Sequence, residues 1–598
     1  MVTLTETASR IRIFGSNEEI NTITDHFKFR PENYWRADSY QMYKLTEGKR
    51  GWSGYLYPVE KTSPTSAEAR RGWLRDVLDL CRIHRFDLNT SKLLPRSFKG
   101  MVPDDVPDDI VASEFQLDEG QRRCICAWLS EAIGMCQVTV SGGKTVTFCA
   151  AAAMIKKEMP DARFIYFTAS ERLANQVIKE ARKFLPSWDI AQFGGGKNEL
   201  MKKDSSGNEV WTLSKGRDMV VVTGSMLSRH FIKLKRDGWF NTFAGILVDE
   251  CHHAPSDSWS KAIMAIPAFY RLGASDTTLS EDKTRCSDMH GLVGPILEKI
   301  EAAPLIHVGR IAKPIVHVVD IRAWKNKFKG VSQLPTEETD AWALIKGVWQ
   351  RGTYLGPVYE TDPDQKYEDG LLRDKDGELV KVPNCHRLSL PAPNGKMGEF
   401  EVESKWCLLE RMYDKSIISF KERNQLIARW AKFYADQGLQ TLVVATRTLH
   451  VYILQAMISK LVGADKVRIL FSEHSTKQRD ETFDWLRATP GCILISSVVK
   501  EGVSVNEIRA GVIADYVASF ELLNQMIGRM IRKKYTGENV GRITMFVERQ
   551  HPTYYRGSMD VIKGLEKFRA YEFKYPCTEP ESAQAAETFK AAEPYAGA

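Results

Sequence analysis

Ser141-Gly142-Gly143-Lys144-Thr145 combines two glycines, a lysine and a hydroxyl at the spacing that suits a polyphosphate. Glycines let backbone amides converge on phosphate oxygens without a Cβ in the way. Lys144 then reaches the outer phosphates, and the Thr145 hydroxyl ligates magnesium. Such a string also arises by chance in turns, and Val138 stands where the loop pattern wants a small residue. A second string, Asp249-Glu250-Cys251-His252-His253, follows 105 residues after Lys144. Asp249 is suited to holding the metal and Glu250 to activating an attacking water. A third, ELLNQMIGRMIRKK at 521–534, places Gln525, Gly528, Arg529 and Arg532 on one helix face. Planar guanidiniums suit phosphate oxygens whose charge grows during phosphoryl transfer. Basic helix faces are often only solvated; the other two strings are what lend this one weight.

These residues need elements to hold them. VTVSGGKTVTFCAAAAMIKK reads as strand, glycine turn and helix, and AGILVDE reads as a buried strand ending in two carboxylates. Open α/β folds bind ligands at that carboxyl edge. Met526, Ile527, Met530 and Ile531 fall beside the polar face of the third string and seat its helix in a core. Cys251, His252 and His253 lack a second ligand pair at metal spacing, so His252 is expected to couple nucleotide state to a second domain.

Residues 113–312 alternate helical stretches with β-branched runs such as RFIYF, MVVVT and AGILV. A second series follows in LVVAT, CILIS and GVIAD. Two parallel-sheet α/β units are therefore expected. Between them, about 323–410, GTYLGP, a DKDG turn and alternating EFEVESKW read as hairpins, hence an insertion. The expected division is 1–112 as a separate N-terminal α+β unit, 113–312 as the first parallel-sheet unit, and 313–575 as the second. The Ala-, Glu- and Pro-rich residues 576–598 read as a disordered tail.

Composition is that of an ordinary globular chain: 598 residues, 43% hydrophobic, 27% charged. No apolar run approaches membrane-spanning length and no signal pattern opens the chain, so a cytoplasmic protein with no membrane partner is expected. Eleven scattered cysteines argue against a disulfide framework, and Cys124 with Cys126 form a lone pair that does not suit zinc. The net charge of +7 is mild, yet residues 1–100 hold 17 Lys or Arg against 12 Asp or Glu. That balance permits a nucleic-acid partner. In the same stretch Tyr34, Trp35, Tyr43, Trp52, Tyr55 and Tyr57 lie among Lys28, Arg30, Arg36, Lys44, Lys49 and Arg50. Stacking with phosphate neutralisation and an aromatic core fit this pattern equally well.

SGGKT, DECHH and QMIGRMIR, in that order, resemble motifs I, II and VI of superfamily-2 helicases. Gln121, in FQLDEGQRR, resembles the adenine-reading glutamine before motif I, and TASERLANQ, VTGSML and RLGASDTT resemble motifs Ia, Ib and III. VVATRTLH and SSVVKEGVSV resemble motifs IV and V, although Ser504 stands where motif V usually has Asp and Asp276 where motif III has Ala. Within the superfamily, GLVGPILEKI…PLIHVGRIAKP and residues 26–58, with Trp52-Ser53-Gly54, are similar to the UvsW-type recombination helicases of tailed phages, relatives of XPB-like enzymes.

The resemblance implies two tandem RecA-like (P-loop) domains with ATP and Mg2+ between them. It implies Gln121, Ser141, Gly142, Gly143, Lys144 and Thr145 on the nucleotide, Thr145 and Asp249 on magnesium, and Glu250, Gln525, Arg529 and Arg532 in hydrolysis. His252, Ser275, Thr277 and Gly502 would couple turnover to movement. Ser170, Arg172, Thr223, Ser225 and Arg447, with Trp52, Lys49 and Arg50 of the N-terminal unit, would contact nucleic acid. The implied partner is DNA at branches or single-strand/duplex junctions, with an RNA–DNA hybrid as a further track, in host cytoplasm if phage-encoded. Three rivals stay open: an RNA helicase, a motor-dead adaptor, and the motor of a restriction-type nuclease using Asp364, Glu403 and Lys405.

Overall fold

A computed structural model of the chain describes most of residues 1–321 and 413–548, strands between 330 and 403, and those at 572–577 and 588–589. Residues 140–141, 277–281, 498–506 and most of 518–538 lie outside the described residues. The chain divides into two compact units, Met1–Val308 and Gly309–Ala598.

The first unit opens with β1 (Val2–Glu6) and β2 (Arg10–Phe14), whose alternate residues Val2, Leu4, Ile11 and Ile13 are fully buried. Helix α1 (Asn17–Phe27) starts at a Ser16/Glu19 capping box and turns Ile20 and Ile23 onto that apolar face. After α2 (Asp38–Leu45) come β3 (Val59–Ser63), β4 (Ser66–Arg70), α3 (Leu74–Ile83) and β5 (Leu88–Lys92). Among the described residues the sheet has the order β3-β4-β2-β1-β5. The expected α+β character is what these elements show.

This module is joined to the rest of its unit by buried charge. Arg71, fully buried, bonds Glu6 at 2.6 Å and donates to the Phe269 carbonyl. Arg96 reaches the same Glu6 at 2.8 Å, and both guanidiniums lie over the Phe269 ring. Nearby, Arg70 pairs with Asp288, Trp73 stacks on His290 at 4.1 Å, and His290 bonds Asp76.

The parallel sheet of the first unit follows. Its elements are α4 (Glu119–Glu131), β6 (Ile133–Val138), α5 (Lys144–Glu158), β7 (Phe164–Thr168), α6 (Glu171–Phe184) and β8 (Ile190–Gly194). Short strands β9 (Lys197–Asn198), β10 (Met201–Lys203) and β11 (Glu209–Trp211) precede β12 (Met219–Thr223) and α7 (Gly224–Arg236). Then come β13 (Gly245–Asp249), α8 (Asp257–Ala265), β14 (Tyr270–Ser275), α9 (Lys283–Val293), β15 (Ile296–Ile300) and α10 (Ala302–His307). The described order is β15-β6-β14-β13-β7-β12-β8-β9, parallel except for β8 with β9. Strands β7, β12 and β13 are buried at every position, which explains their unbroken apolar runs.

In the second unit, β16 (Lys313–Ile321) enters a parallel sheet and the chain then leaves it. Strands β17 (Gly330–Val331), β18 (Asp340–Ile345) and β19 (Val348–Val358) follow, then the short β20 (Tyr367–Glu368), β21 (Leu371–Arg373) and β22 (Leu379–Lys381). With β23 (Cys385–Pro391) and β24 (Met397–Glu403) they pair antiparallel throughout, in the hairpin manner expected of 323–410. The sheet resumes through α11 (Lys421–Asp436), β25 (Thr441–Val444), α12 (Thr448–Val462), β26 (Val467–Leu470), α13 (Thr476–Ala488) and β27 (Ile493–Ser496). It ends with β28 (Ala510–Ile513), β29 (Val540–Glu548), β30 (Glu572–Cys577) and β31 (Thr588–Phe589). The described order is β26-β27-β25-β28-β29-β16-β30-β31. Of the expected tail, Thr588–Phe589 pairs with β30, and most of the remainder lies outside the described residues. No described helix is long and apolar enough to cross a membrane.

Candidate active site at the edge of the first parallel sheet

Strand β14 separates β6 from β13, and its register aligns all three carboxyl ends. Ser275 pairs with Gln137 of β6, and Ala274 pairs with Asp249 of β13. The phosphate-loop lysine, the acid pair and Ser275 therefore share one edge.

Gly143 is the N-cap of α5 in the left-handed conformation, φ +83°, and no side chain caps the helix. Its first-turn N–H groups thus face the loop, where an anion would complete them. A Cβ at Gly143 would lie 2.2 Å from Gln121 Nε2, so only glycine fits. Gln121 is 4% exposed: its Oε1 accepts from Asp118 N–H in the α4 capping box, and its Nε2 donates to Gly142 C=O at 3.1 Å. It holds the loop. The unusual Val138 is buried under the same loop, where a Cβ at Gly142 would come within 2.8 Å of its Cγ1. Glycine at 142 makes room for the larger residue at 138.

Lys144 donates to Glu250 and lies 3.9 Å from Asp249 Oδ1. Burial alone would lower the Lys144 pKa, but Glu250, Asp249 and Asp276 outweigh it and hold the ammonium well above its ordinary value. Burial opposes ionisation of Glu250 too, yet Lys144 brings it below the usual carboxylate range. For Asp249 burial wins over Lys144, and its pKa rises to about 6. The two acids share one cation and separate into a stronger and a weaker partner.

Glu250 itself sits at φ 48° and ψ 54°, the left-handed region that non-glycine residues enter at a cost of ~1–2 kcal/mol. Its N–H donates to Asp249 Oδ1 at 2.9 Å, and a short 3-10 turn, Cys251–His253, follows at once. The Ser275 hydroxyl donates to Glu250 Oε2 at 3.2 Å and lies 2.8 Å from His252 Nδ1. A neutral His252 with its proton on Nδ1 completes that chain. Burial indeed lowers the His252 pKa to about 4, despite the nearby Glu250. The backbone is held from the other side, since Arg285 donates to the His252 carbonyl at 3.0 Å.

Tyr166, one strand over, donates to Asp249 Oδ2 at 3.3 Å. It steadies Asp249, which with Thr145 is one of the two oxygen donors expected for magnesium. A hydroxyl and a carboxylate are hard ligands of the kind magnesium takes, so the residues present fit that ion. Sequence reading missed Tyr166; its only signal was a polar-tipped aromatic inside a buried strand.

The residues expected on nucleic acid fall in three places. Ser170 caps α6 and Ser225 is exposed in the first turn of α7, at adjacent strand ends because Thr168 pairs with Thr223. Thr223 is 2% exposed, with its hydroxyl 3.2 Å from that of Ser225, so it supports Ser225 from behind. Arg447 is exposed at the start of α12, 5.8 Å above the Tyr413 ring. In the N-terminal module the Trp52 indole donates to Tyr55 C=O at 2.7 Å, Arg30 lies against both Tyr34 and Tyr55, and Arg50 is exposed. Tyr34 also packs edge-on against Tyr40, so these rings hold one another.

The remaining expected residues lie outside the described ones. These are Ser141, Thr277, Gly502, Gln525, Arg529, Arg532 and Lys49, together with the side chain of Arg172. Of the helix carrying the arginines, Met526, Ile527 and Met530 are buried on the side expected to face the core.

Two family models match the chain. Residues 114–279 match the Type III restriction enzyme res subunit, and residues 422–534 match the helicase conserved C-terminal domain. A putative helicase of the Sulfolobus islandicus filamentous virus is 25% identical over 231 residues, which span 37% of this chain and 38% of that protein. Among solved structures, the bacteriophage T4 UvsW helicase is 15% identical with a TM-score of 0.38, over 96% of this chain and 98% of that one. The Type ISP restriction-modification enzyme LlaBIII bound to DNA is 13% identical with a TM-score of 0.47, over 76% and 30%.

Proposed function

Because this chain belongs to the superfamily-2 helicases, we propose that it is a nucleic-acid-stimulated ATPase that moves along DNA. Its substrates are branched structures such as forks, D-loops and R-loops in recombination, repair or replication. The observation that carries the reading is the Lys144–Glu250 ion pair beneath the uncapped first turn of α5. Triphosphate oxygens would take over the Lys144 ammonium and the helix amides together. Glu250, released from Lys144 but still held by Ser275, is then a free carboxylate placed to accept a proton from water. Thr145 and Asp249 would hold magnesium, which when bound neutralises charge on the phosphate oxygens.

Gln121 reads adenine by exchanging the Gly142 carbonyl for the base, which links base recognition to loop position. Arg529 and Arg532 are assigned to the γ-phosphate and Gln525 to water or phosphate positioning. Ser170, Ser225 and Arg447 contact the strand through its backbone, so movement is independent of sequence.

The family match of residues 114–279 favours a second reading, the motor of a restriction-type enzyme. Glu403 ends β24, while Asp364 and Lys405 lie outside the described residues. Magnesium-dependent DNA cleavage that is lost in Glu403→Ala would support it.

The deciding experiment is steady-state ATP turnover alone and with single-stranded, duplex or branched DNA or RNA, with Lys144→Ala as control. Strong stimulation by branched DNA, absent in the control, supports the proposal. Stimulation by RNA alone changes the track, and no turnover on any track removes the motor.

A further inference from the structure

Helix α7 has one side fixed and one side free. Leu227 and Leu234 are fully buried, and a Cβ at Gly224 would lie 2.1 Å from Trp259 Nε1, so the helix is pressed onto α8. Opposite these, Ser225, Arg229, Ile232 and Arg236 are exposed at offsets 0, 4, 7 and 11. At helical pitch these four keep within about 40° of one line and span ~16 Å.

Ile232 is 83% exposed, the most exposed large hydrophobic residue among those described. Core packing does not explain it, since the core side of the helix is already filled. Arg229 is flanked by no ion-pair partner among the described residues, and Arg236 meets only its neighbour Asp237 while 72% exposed. Residues 197–236 contain nine Lys or Arg against four Asp or Glu, in a chain whose total charge is only +7. The stripe begins beside Ser170, because Thr168 and Thr223 are paired neighbours.

We propose that this stripe grips the backbone of duplex DNA adjoining the strand on which the motor travels. Arg229 and Arg236, ~10 Å apart along the helix, take phosphates, and Ile232 between them lies against sugars. Charge complementarity selects nucleic acid, and the absence of any aromatic residue from the stripe selects duplex. Single strands are held by stacking on rings, whereas duplex backbones are held by cations and apolar contact with sugars. The inference rests on the nucleic-acid reading above.

The test uses the full chain without nucleotide, and fluorescent single strand, blunt duplex and fork as probes over a range of salt. R229E/R236E should weaken duplex and fork binding by about tenfold or more and reduce the salt slope by about 2, one unit per lost phosphate contact. Single-strand binding should change by less than about twofold, and ATP turnover without DNA should stay at the wild-type level. Ile232→Ser should weaken duplex binding with the salt slope unchanged, and R229K/R236K should bind as wild type. Unaltered duplex binding by R229E/R236E overturns the proposal, as does an equal loss on single strand and duplex. A wild-type chain that binds the single strand but not duplex overturns it alone. One that binds no nucleic acid overturns the functional reading as well.

Discussion

At the carboxyl edge of the first parallel sheet, Asp249 and Glu250 remain 10% and 24% exposed around one shared lysine. At the corresponding edge of the second sheet, Asp515 is 3% exposed and accepts from Thr446 N–H and Tyr413 O–H. Beside it Arg423, fully buried, bonds Glu548 at 2.7 Å and the Ala514 carbonyl at 2.6 Å. His450, whose pKa burial lowers, bonds Asn424 at 2.9 Å. The same topology thus yields two kinds of polar edge. In the second, buried side chains and backbone groups together complete the charged groups; in the first, a lysine side chain is the main counterion of the acids. Under the proposed function, the first edge gives up its counterion to a ligand, whereas the second keeps the partners it has.

Substitutions should separate the two edges. Glu250→Gln should lower DNA-stimulated ATP turnover by about 10²–10⁴-fold, with the urea midpoint barely moved. Wild-type turnover would remove Glu250 from the chemistry. Arg423→Ala should cost ~3–5 kcal/mol of stability because Glu548 is left buried and uncompensated. The paired change Arg423→Met with Glu548→Leu should recover most of that loss, and urea unfolding reads both. A loss of turnover in the paired variant with stability restored would break the distinction. Ser275→Ala removes one hydrogen bond to Glu250, worth about 1 kcal/mol, and should slow turnover roughly fivefold while leaving the KM for ATP near wild type.

The smallest effect is on pH. His252 has its pKa lowered to about 4 in the fold, so its contribution is present above about 6.5 and is lost as pH falls toward 4. Asp249 has the opposite sign: raised to about 6, it takes up a proton in the fold first, and this favours folding as pH drops below 6. The two offset one another in the same window. Urea midpoints between pH 7 and pH 4.5 should therefore fall less steeply in His252→Asn and more steeply in Asp249→Asn. Parallel curves would show that neither group is perturbed as described.

Much of the first edge was legible in the sequence. Two glycines before a lysine, and an apolar strand ending in two acids, announce their geometry locally, and the string carrying Ser275 stood out through its resemblance to motif III. What stayed hidden depends on register. Tyr166 meets Asp249 only because β7 pairs with β13, and Gln121 meets Gly142 only through the placement of α4. The place of β16 was likewise hidden: it sits between β29 and β30, although more than 200 residues separate it from either. Thr223 and Ser225 look equivalent in sequence, and only burial tells the supporting hydroxyl from the exposed one. The aromatic residues of the N-terminal module could have been core or stacking platform, and the mutual packing of Tyr34, Tyr40 and Tyr55 with Arg30 gives them an internal role that spacing alone did not reveal.

Strand β14 has one more consequence, and it is mechanical. Its first residue follows Phe269, whose carbonyl receives Arg71 from the N-terminal module. Its last residue is Ser275, whose hydroxyl aims Glu250. The two ends are about 17 Å apart, and a strand hydrogen-bonded on both sides neither stretches nor bends easily. β14 is therefore a strut, with the Arg71–Glu6 joint as its socket and the Glu250 carboxylate at its tip. A tug on the module is delivered along a single rigid member to the hydroxyl beside that carboxylate.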